Sequence, residues 1–268
     1  MRAERELRVF RRVLPMRAVI PNAVTVLALC SGLTGVRFAI TGEWRNAVAM
    51  IVVAGILDGI DGRIARLLKG ASKFGAELDS LADLTAFWVA PALILYLWSL
   101  VYLPGIGWVF ALAHAVACAL RLARFNSRLD VEDQPHKRAG FLTGIPAPVG
   151  AGLALSPIFA SLWLGPEFLA DQRLRFAVSA AVIATTATLM ASSVPTYAWG
   201  AIRLRPSWRI VALLGVALFM GALVSEPWMT LTLLSVAYVS SIPFAVRSYG
   251  RIRQRSAAAT PTGPDRID

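Results

Sequence analysis

A chain of 268 residues that is 57% hydrophobic and only 16% charged, with a mean hydropathy of +0.62, is too apolar for an ordinary soluble domain. Its net charge of +11 invites a nucleic-acid reading, but the Lys and Arg sit in short segments between apolar runs, the pattern of loops facing anionic lipid, and no nucleic-acid motif is present. Cys30 and Cys118 are far apart and lack CxxC spacing, so they support neither a disulfide framework nor a zinc site and read as packing residues.

Residues 1–18 carry six Arg, with Leu7, Phe10, Val13 and Leu14 recurring at roughly helical spacing. This predicts an amphipathic helix lying on the membrane surface. It is not read as a signal peptide, because the next apolar stretch is long, opens with Pro-Asn and lacks a small-residue cleavage site. Apolar runs follow at 19–40, 45–68, 74–99, 103–125, 144–164, 174–194, 208–224 and 228–246. Most reach the about 20 residues that a spanning helix needs. The fold expected is all-α, a polytopic membrane bundle of about eight transmembrane helices over 19–250, with its core at 19–205. The tail, 251–268, ends in a segment with no apolar pattern and is expected to be disordered. In this count the basic stretches 2–17, 66–73, 121–138, 203–209 and 247–255 fall on one side. Arg45, Arg173 and Arg175, accompanied by Glu43, Glu167 and Asp171, fall on the other. The positive-inside rule then places both termini and the 66–73 loop in the cytoplasm, as expected of a multi-pass protein of the cytoplasmic membrane. His114 in an apolar run and His136 in a polar loop have no partner spacing and read as structural or solvated.

The informative stretch is 58–83, which puts four carboxylates into apolar segments. Asp58 and Asp61 are three apart, and Asp79 and Asp83 four apart, so each pair shares one helix face. Counted outward from the loop near residue 70, Asp58 and Asp83 lie equally deep, and Asp61 and Asp79 lie nearly level. Two antiparallel helices would gather all four. An isolated charge in a membrane helix costs on the order of 3 kcal/mol or more, and four like charges cannot all stay ionised unaided. Arg63 and Arg66 are too few to balance four Asp, and salt bridges stabilise membrane cores poorly. All-oxygen ligands suit Mg2+ or Mn2+, and four carboxylates suffice for two ions. Arg66 is the natural partner of a phosphate oxygen, and the spacing carries no Gly-rich phosphate loop.

Asp58, Asp61, Gly62, Ala65 and Arg66, then eight residues, then Gly75, Asp79 and Asp83 form the pattern D-x2-D-G-x2-A-R-x8-G-x3-D-x3-D. In this the chain strongly resembles the CDP-alcohol phosphotransferases. The resemblance implies that Asp58, Asp61, Asp79 and Asp83 hold the metal ions, that Asp83 is the general base, and that Asp58, Gly62, Ala65, Arg66 and Gly75 face the cytidine nucleotide. Pro21, Asn22 and Thr25 form the PN-x-x-T that precedes this signature in the family, which adds Asn22 and Thr25 to the nucleotide pocket. Family members are typically homodimers.

A second constellation combines Arg121, Arg124 and Asn126 with the run F-x-T-G-x-P-x-P at 141–148 and with SSVPTY at 192–197. Arg128, Lys137 and Arg138 read as positive-inside anchors, and Pro146 and Pro148 as a helix start. Together the remaining features resemble the membrane-embedded phosphatidylserine synthase branch, whose substrates are CDP-diacylglycerol and L-serine. The family pattern after VPTY continues with Ser and Lys, whereas Ala198, Trp199 and Gly200 stand here. Arg121 or Arg124 would supply a cation for the serine carboxylate, and the Asn126 amide oxygen or a carboxylate of the cluster would take its ammonium. Glycerol 3-phosphate, inositol phosphate and choline are the alternative acceptors. An intramembrane prenyltransferase would need N-D-x-x-D-x-x-x-D, but Leu57 precedes Asp58. An ion-coupled transporter would favour internal repeats, and none is found.

Overall fold

The computed structural model describes residues 16–70, 72–126, 141–143, 145–192, 195–197 and 208–258. The surface helix expected over 1–18 lies outside these residues except for 16–18, which already belong to the first long helix. That helix, α1 (Met16–Ile40), therefore has Pro21 inside it rather than at its first turn. A tight turn at Gly42, φ +77°, reverses the chain into α2 (Trp44–Leu67). Ser72 caps the next helix, its Oγ accepting from the Gly75 amide at 3.0 Å.

The third element, α3 (Lys73–Trp98), contains a π-helical turn at Leu84–Val89, where the Ala90 amide donates to the Thr85 carbonyl five residues back. Pro91 accounts for its position: proline has no N–H and its ring would meet the carbonyl of Phe87, so the widened turn just before it makes room. After α4 (Pro104–Asn126), a strand β1 (Phe141–Thr143) leads to α5 (Ala147–Ala154) and α6 (Ser156–Leu164). These two helices are bent by 49° around Leu155, where Pro157 enters. Then come α7 (Gln172–Ala191), β2 (Pro195–Tyr197), α8 (Arg209–Ser225) and α9 (Pro227–Ala258). The strands form one short antiparallel ribbon, Phe141 opposite Tyr197 and Thr143 opposite Pro195.

Among the described residues each of the eight apolar runs is chiefly helical, giving the expected polytopic bundle with one small ribbon. By length and composition five helices among the described residues qualify as spans, and the bent α5–α6 pair makes a sixth. α2 is long enough but carries Asp58, Asp61 and Arg63 near its end, and the apolar stretch of α8, Ile210–Ser225, is shorter than a span. The count of eight thus meets five or six plain spans. The last helix continues to Ala258 through Arg, Gln and Ala, all good helix formers, so the boundary expected at 251 falls within it. Residues 259–268 lie outside the described set.

With lipid as solvent, helices associate by close packing rather than by escape from water. α1 rests on α2 and α3 at two glycines: a Cβ on Gly32 would stand 2.7 Å from Cα and Cβ of Ala86, and one on Gly35 would stand 2.8 Å from the Ala47 carbonyl. The centre of the bundle is filled by Phe87, Ile94, Leu95, Leu155, Ile158, Phe159, Ile183 and Met190. α8, by contrast, exposes apolar side chains such as Leu213, Val216 and Leu218, as a helix against lipid would. Cys118 is buried beside His114 (Sγ to Nε2, 3.8 Å) and Met190 (3.3 Å), whereas Cys30 is exposed on α1.

Candidate metal centre

The α2–α3 hairpin is the device that assembles the site. Its two helices run antiparallel about the 68–72 loop, so residues at equal distance from the loop face each other. Asp58 and Asp83 stand beside each other across the hairpin, the pairing that the depth count anticipates. Asp58, Asp61 and Asp79 each turn a carboxylate oxygen to one point, all within 4.8 Å of one another. Asp61 is 5% exposed, Asp58 half-buried and Asp79 exposed.

The neighbours acting on these carboxylates are the other carboxylates, the Thr25 hydroxyl and the Gly62 amide; no Lys or Arg of the described residues is among them. Three acidic oxygens held this close repel strongly, and the hairpin offers no internal cation to offset it. One oxygen of Asp83, Oδ1, is buried without a hydrogen-bond partner. An oxygen-only donor set with an orphaned carboxylate oxygen beside it fits a hard divalent cation.

Beside the carboxylates lies a pocket of about 170 Å³. α1 forms one wall through Pro21, Asn22 and Thr25, and the hairpin forms the other through Asp61, Gly62, Ala65, Gly75 and Asp79. Thr25, on the buried side of α1, donates to Asp61 Oδ2 at 2.6 Å, which holds that carboxylate toward the pocket. Gly75 gives room to two polar side chains: a Cβ there would stand 2.8 Å from Asn22 Oδ1 and 3.1 Å from Ser72 Oγ, and both would have to turn away. Six of the seven residues expected to face the nucleotide are thus gathered around the carboxylates, five in this wall and Asp58 behind it. Arg66 is exposed on α2 one turn from Gly62, its Nη1 3.7 Å from where a Gly62 Cβ would be. Ser72 also lines the pocket and was not singled out from the sequence; a serine three residues before Gly75, at the start of an apolar run, is the helix-cap signal that marks it.

The second constellation is only partly visible. The ribbon β1–β2 joins the F-x-T and P-T-Y runs side by side, which the sequence separates by some fifty residues. Arg121 sits on α4 among Cys118 and Tyr238 of α9, and it does not line the carboxylate pocket. Arg124 and Asn126 lie on the last turn of α4, where only the backbone is described.

The family model described as CDP-alcohol phosphatidyltransferase matches residues 18–190, and a second, CDP-alcohol phosphatidyltransferase 2, matches residues 207–243. The chain is 40% identical over 235 residues to the CDP-diacylglycerol–serine O-phosphatidyltransferase of Mycobacterium tuberculosis (strain H37Rv), covering 86% of this chain and 79% of that protein. It is 38% identical over 253 residues to the protein of the same description from Mycobacterium leprae, covering 92% and 79%. A third, from Helicobacter pylori (strain J99), is 38% identical over 137 residues, 51% of this chain and 56% of that one.

Proposed function

Because the chain belongs to the CDP-alcohol phosphatidyltransferase family, we propose that it transfers the phosphatidyl group of CDP-diacylglycerol to the hydroxyl of L-serine, forming phosphatidylserine and releasing CMP. The observation that carries the reading is the meeting of Asp58, Asp61 and Asp79 oxygens within 4.8 Å beside a pocket walled by Asn22, Thr25 and Gly75. The similarity to serine O-phosphatidyltransferases over most of the chain supports the acceptor.

Phosphoryl transfer asks a protein mainly for positioning and for charge stabilisation. Asp58, Asp61 and Asp79 would hold the divalent cation, with Asp83 completing a set for two ions. Bound there, Mg2+ or Mn2+ would neutralise the negative charge of the two phosphates. Thr25 keeps the Asp61 carboxylate turned toward the cation, and Gly75 leaves the space that the nucleotide needs. Arg66, at the pocket's rim, offers a fork of donors to phosphate oxygens. Asp83 takes the proton of the serine hydroxyl through the oxygen that has no other partner. The serine oxygen then forms its bond to the phosphorus that carries diacylglycerol, and the bond from that phosphorus to the CMP oxygen breaks. Arg121, Arg124 and Asn126 orient the acceptor. The enzyme works as a homodimer in the cytoplasmic membrane, with both termini and this site on the cytoplasmic side, where CTP-derived lipid and serine are available.

The test is CMP release by the purified full chain from CDP-diacylglycerol with Mg2+ or Mn2+, across L-serine, glycerol 3-phosphate, inositol 1-phosphate and choline. Release with serine alone is expected. Release with a different acceptor would overturn the roles of Arg121, Arg124 and Asn126, and no release with any acceptor would overturn the transferase reading.

A further inference from the structure

Away from the carboxylates, the described residues gather a second set of metal-binding side chains, of the opposite chemical kind. His114 and Cys118 are four apart on α4, so they share one face of that helix, and Met190 reaches them from α7. The Cys118 Sγ is 3.8 Å from His114 Nε2 and 3.3 Å from Met190 Sδ. All three side chains are buried, none more than 1% exposed. Gly150 of α5 gives the thioether its room, since a Cβ there would stand 2.6 Å from Met190 Sδ. The other ring nitrogen of His114, Nδ1, is buried without a hydrogen-bond partner; the Ile183 carbonyl of α7 is near it but outside bonding geometry. That carbonyl favours the tautomer with its proton on Nδ1, which leaves the Nε2 lone pair facing the sulphur.

We propose that His114 Nε2, the Cys118 thiolate and the Met190 thioether bind one soft monovalent cation, Cu(I), and that the ion clips α4 to α7. Softness selects it: thiolate and thioether donors favour Cu(I), whereas Mg2+ and Mn2+ take oxygen. Charge selects it again. Cu(I) displaces the thiol proton, which passes to solvent, so the site carries the same net charge with the ion as without it. Zn2+ would leave a surplus positive charge in the bilayer interior and would lack the fourth ligand of a closed site. Arg121, one turn further along α4, is a charged neighbour of Cys118 and opposes such a surplus. Spacing is close to what three donors need. With distances like those of zinc, about 2.3 Å to sulphur and about 2.0 Å to nitrogen, three donors around one ion stand about 3.7–4.0 Å apart. The sulphur–nitrogen pair is already at that separation. The two sulphurs must open by about 0.7 Å, which rotation of the unbranched Met190 side chain can supply. None of the three residues belongs to the carboxylate signature, so the site stands apart from the transfer reaction.

The experiment titrates the purified full chain in detergent with Cu(I), without oxygen, against bicinchoninate as the competing chelator, and records the copper X-ray absorption spectrum. The wild type should hold one Cu(I) per chain, with two sulphurs and one nitrogen as its ligands. Cys118→Ser is nearly isosteric and should weaken binding by more than the about 10- to 10²-fold that loss of an outer partner costs a metal site. Met190→Leu keeps the bulk of the side chain and removes the thioether, and should weaken binding by about tenfold or more. Cys30→Ser removes the exposed thiol of α1 and should change nothing. Cu(I) should also raise the midpoint of thermal unfolding of the wild type and leave that of Cys118→Ser where it was, because an ion that binds only the folded chain stabilises it. Copper held as tightly by Cys118→Ser and Met190→Leu as by the wild type, or lost with Cys30→Ser, would overturn the site. A wild type that takes up no Cu(I) would overturn it as well, and would leave the transferase reading intact.

Discussion

Helices α2 and α3 build two cavities one turn apart, and they differ in every respect but their walls. Toward the loop the hairpin faces α1 with Asp61, Gly62, Gly75 and Asp79 and makes a pocket of about 170 Å³ that gathers like charges. Away from the loop it faces α5, α6 and α9 with Ile51, Gly55 and Phe87 and makes an apolar chamber of about 690 Å³. The first would be unstable in a membrane without a bound cation, because like charges in a low-dielectric setting are costly. The second needs nothing beyond lipid. One hairpin therefore carries a polar cavity and an apolar one side by side.

The division breaks most completely at the carboxylates. Asp79→Asn and Asp61→Asn should each lower CMP release by about 10³-fold or more, the scale lost with an essential charged group in the site. Both should weaken Mn2+ binding followed by its spin-resonance signal, and chelation of the wild type should abolish release until Mn2+ or Mg2+ is restored. Asp83→Asn should be as damaging to turnover, in the range of about 10² to 10⁴-fold for a general base, yet should keep much of the CDP-lipid affinity. Loss of both together would make Asp83 chiefly a ligand.

These residues were legible in the sequence for a physical reason. They lie within 26 contiguous positions on one helical hairpin, where spacing alone decides which side chains meet, and the equal depth of Asp58 and Asp83 sets them side by side. The chamber was not legible, because α2, α3, α5, α6 and α9 contribute to it from positions as far apart as Ile51 and Tyr238. No periodicity in one segment reports on a cavity shared by five. Pro91 could have signalled an irregular turn after Asp83, although not that it would be a π turn rather than a kink. Arg121 stands beside Tyr238 of α9 in the structure, a neighbour that a reading confined to 119–152 could not foresee.

A smaller effect is expected where α1 closes the polar pocket. Gly75→Ala would drive a methyl to 2.8 Å from Asn22 Oδ1, so the Asn22 side chain must turn away from the pocket. Displacements near 1 Å at a reacting centre cost about 10²-fold, and kcat/KM for the CDP-lipid should fall on that scale. Asn22→Ala alone should cost about as much as Gly75→Ala, and the double variant little more than either; independent, additive effects would show that the contact is not what matters. Thr25→Val keeps the shape of the side chain and removes its hydrogen bond to Asp61. A bond to a charged group is worth about 1.5–3 kcal/mol, so Mn2+ affinity should drop by about 10- to 10²-fold.

The mildest change is the same substitution carried one cavity along. Gly55→Ala places its methyl 3.8 Å from Phe87 and 3.9 Å from Pro148, ordinary contact distances that require no movement. Replacing glycine inside a helix by alanine stabilises by about 0.5–1 kcal/mol, so thermal unfolding of the purified protein should shift upward by a few degrees at most. Turnover should change by about twofold or less, as expected when one methyl lines a chamber many methylenes wide. Gly55 and Gly75 belong to the same hairpin and are twenty positions apart. If the two substitutions proved equally harmful, hairpin packing alone would explain both, and the contrast between a tight polar pocket and a roomy apolar chamber would fail.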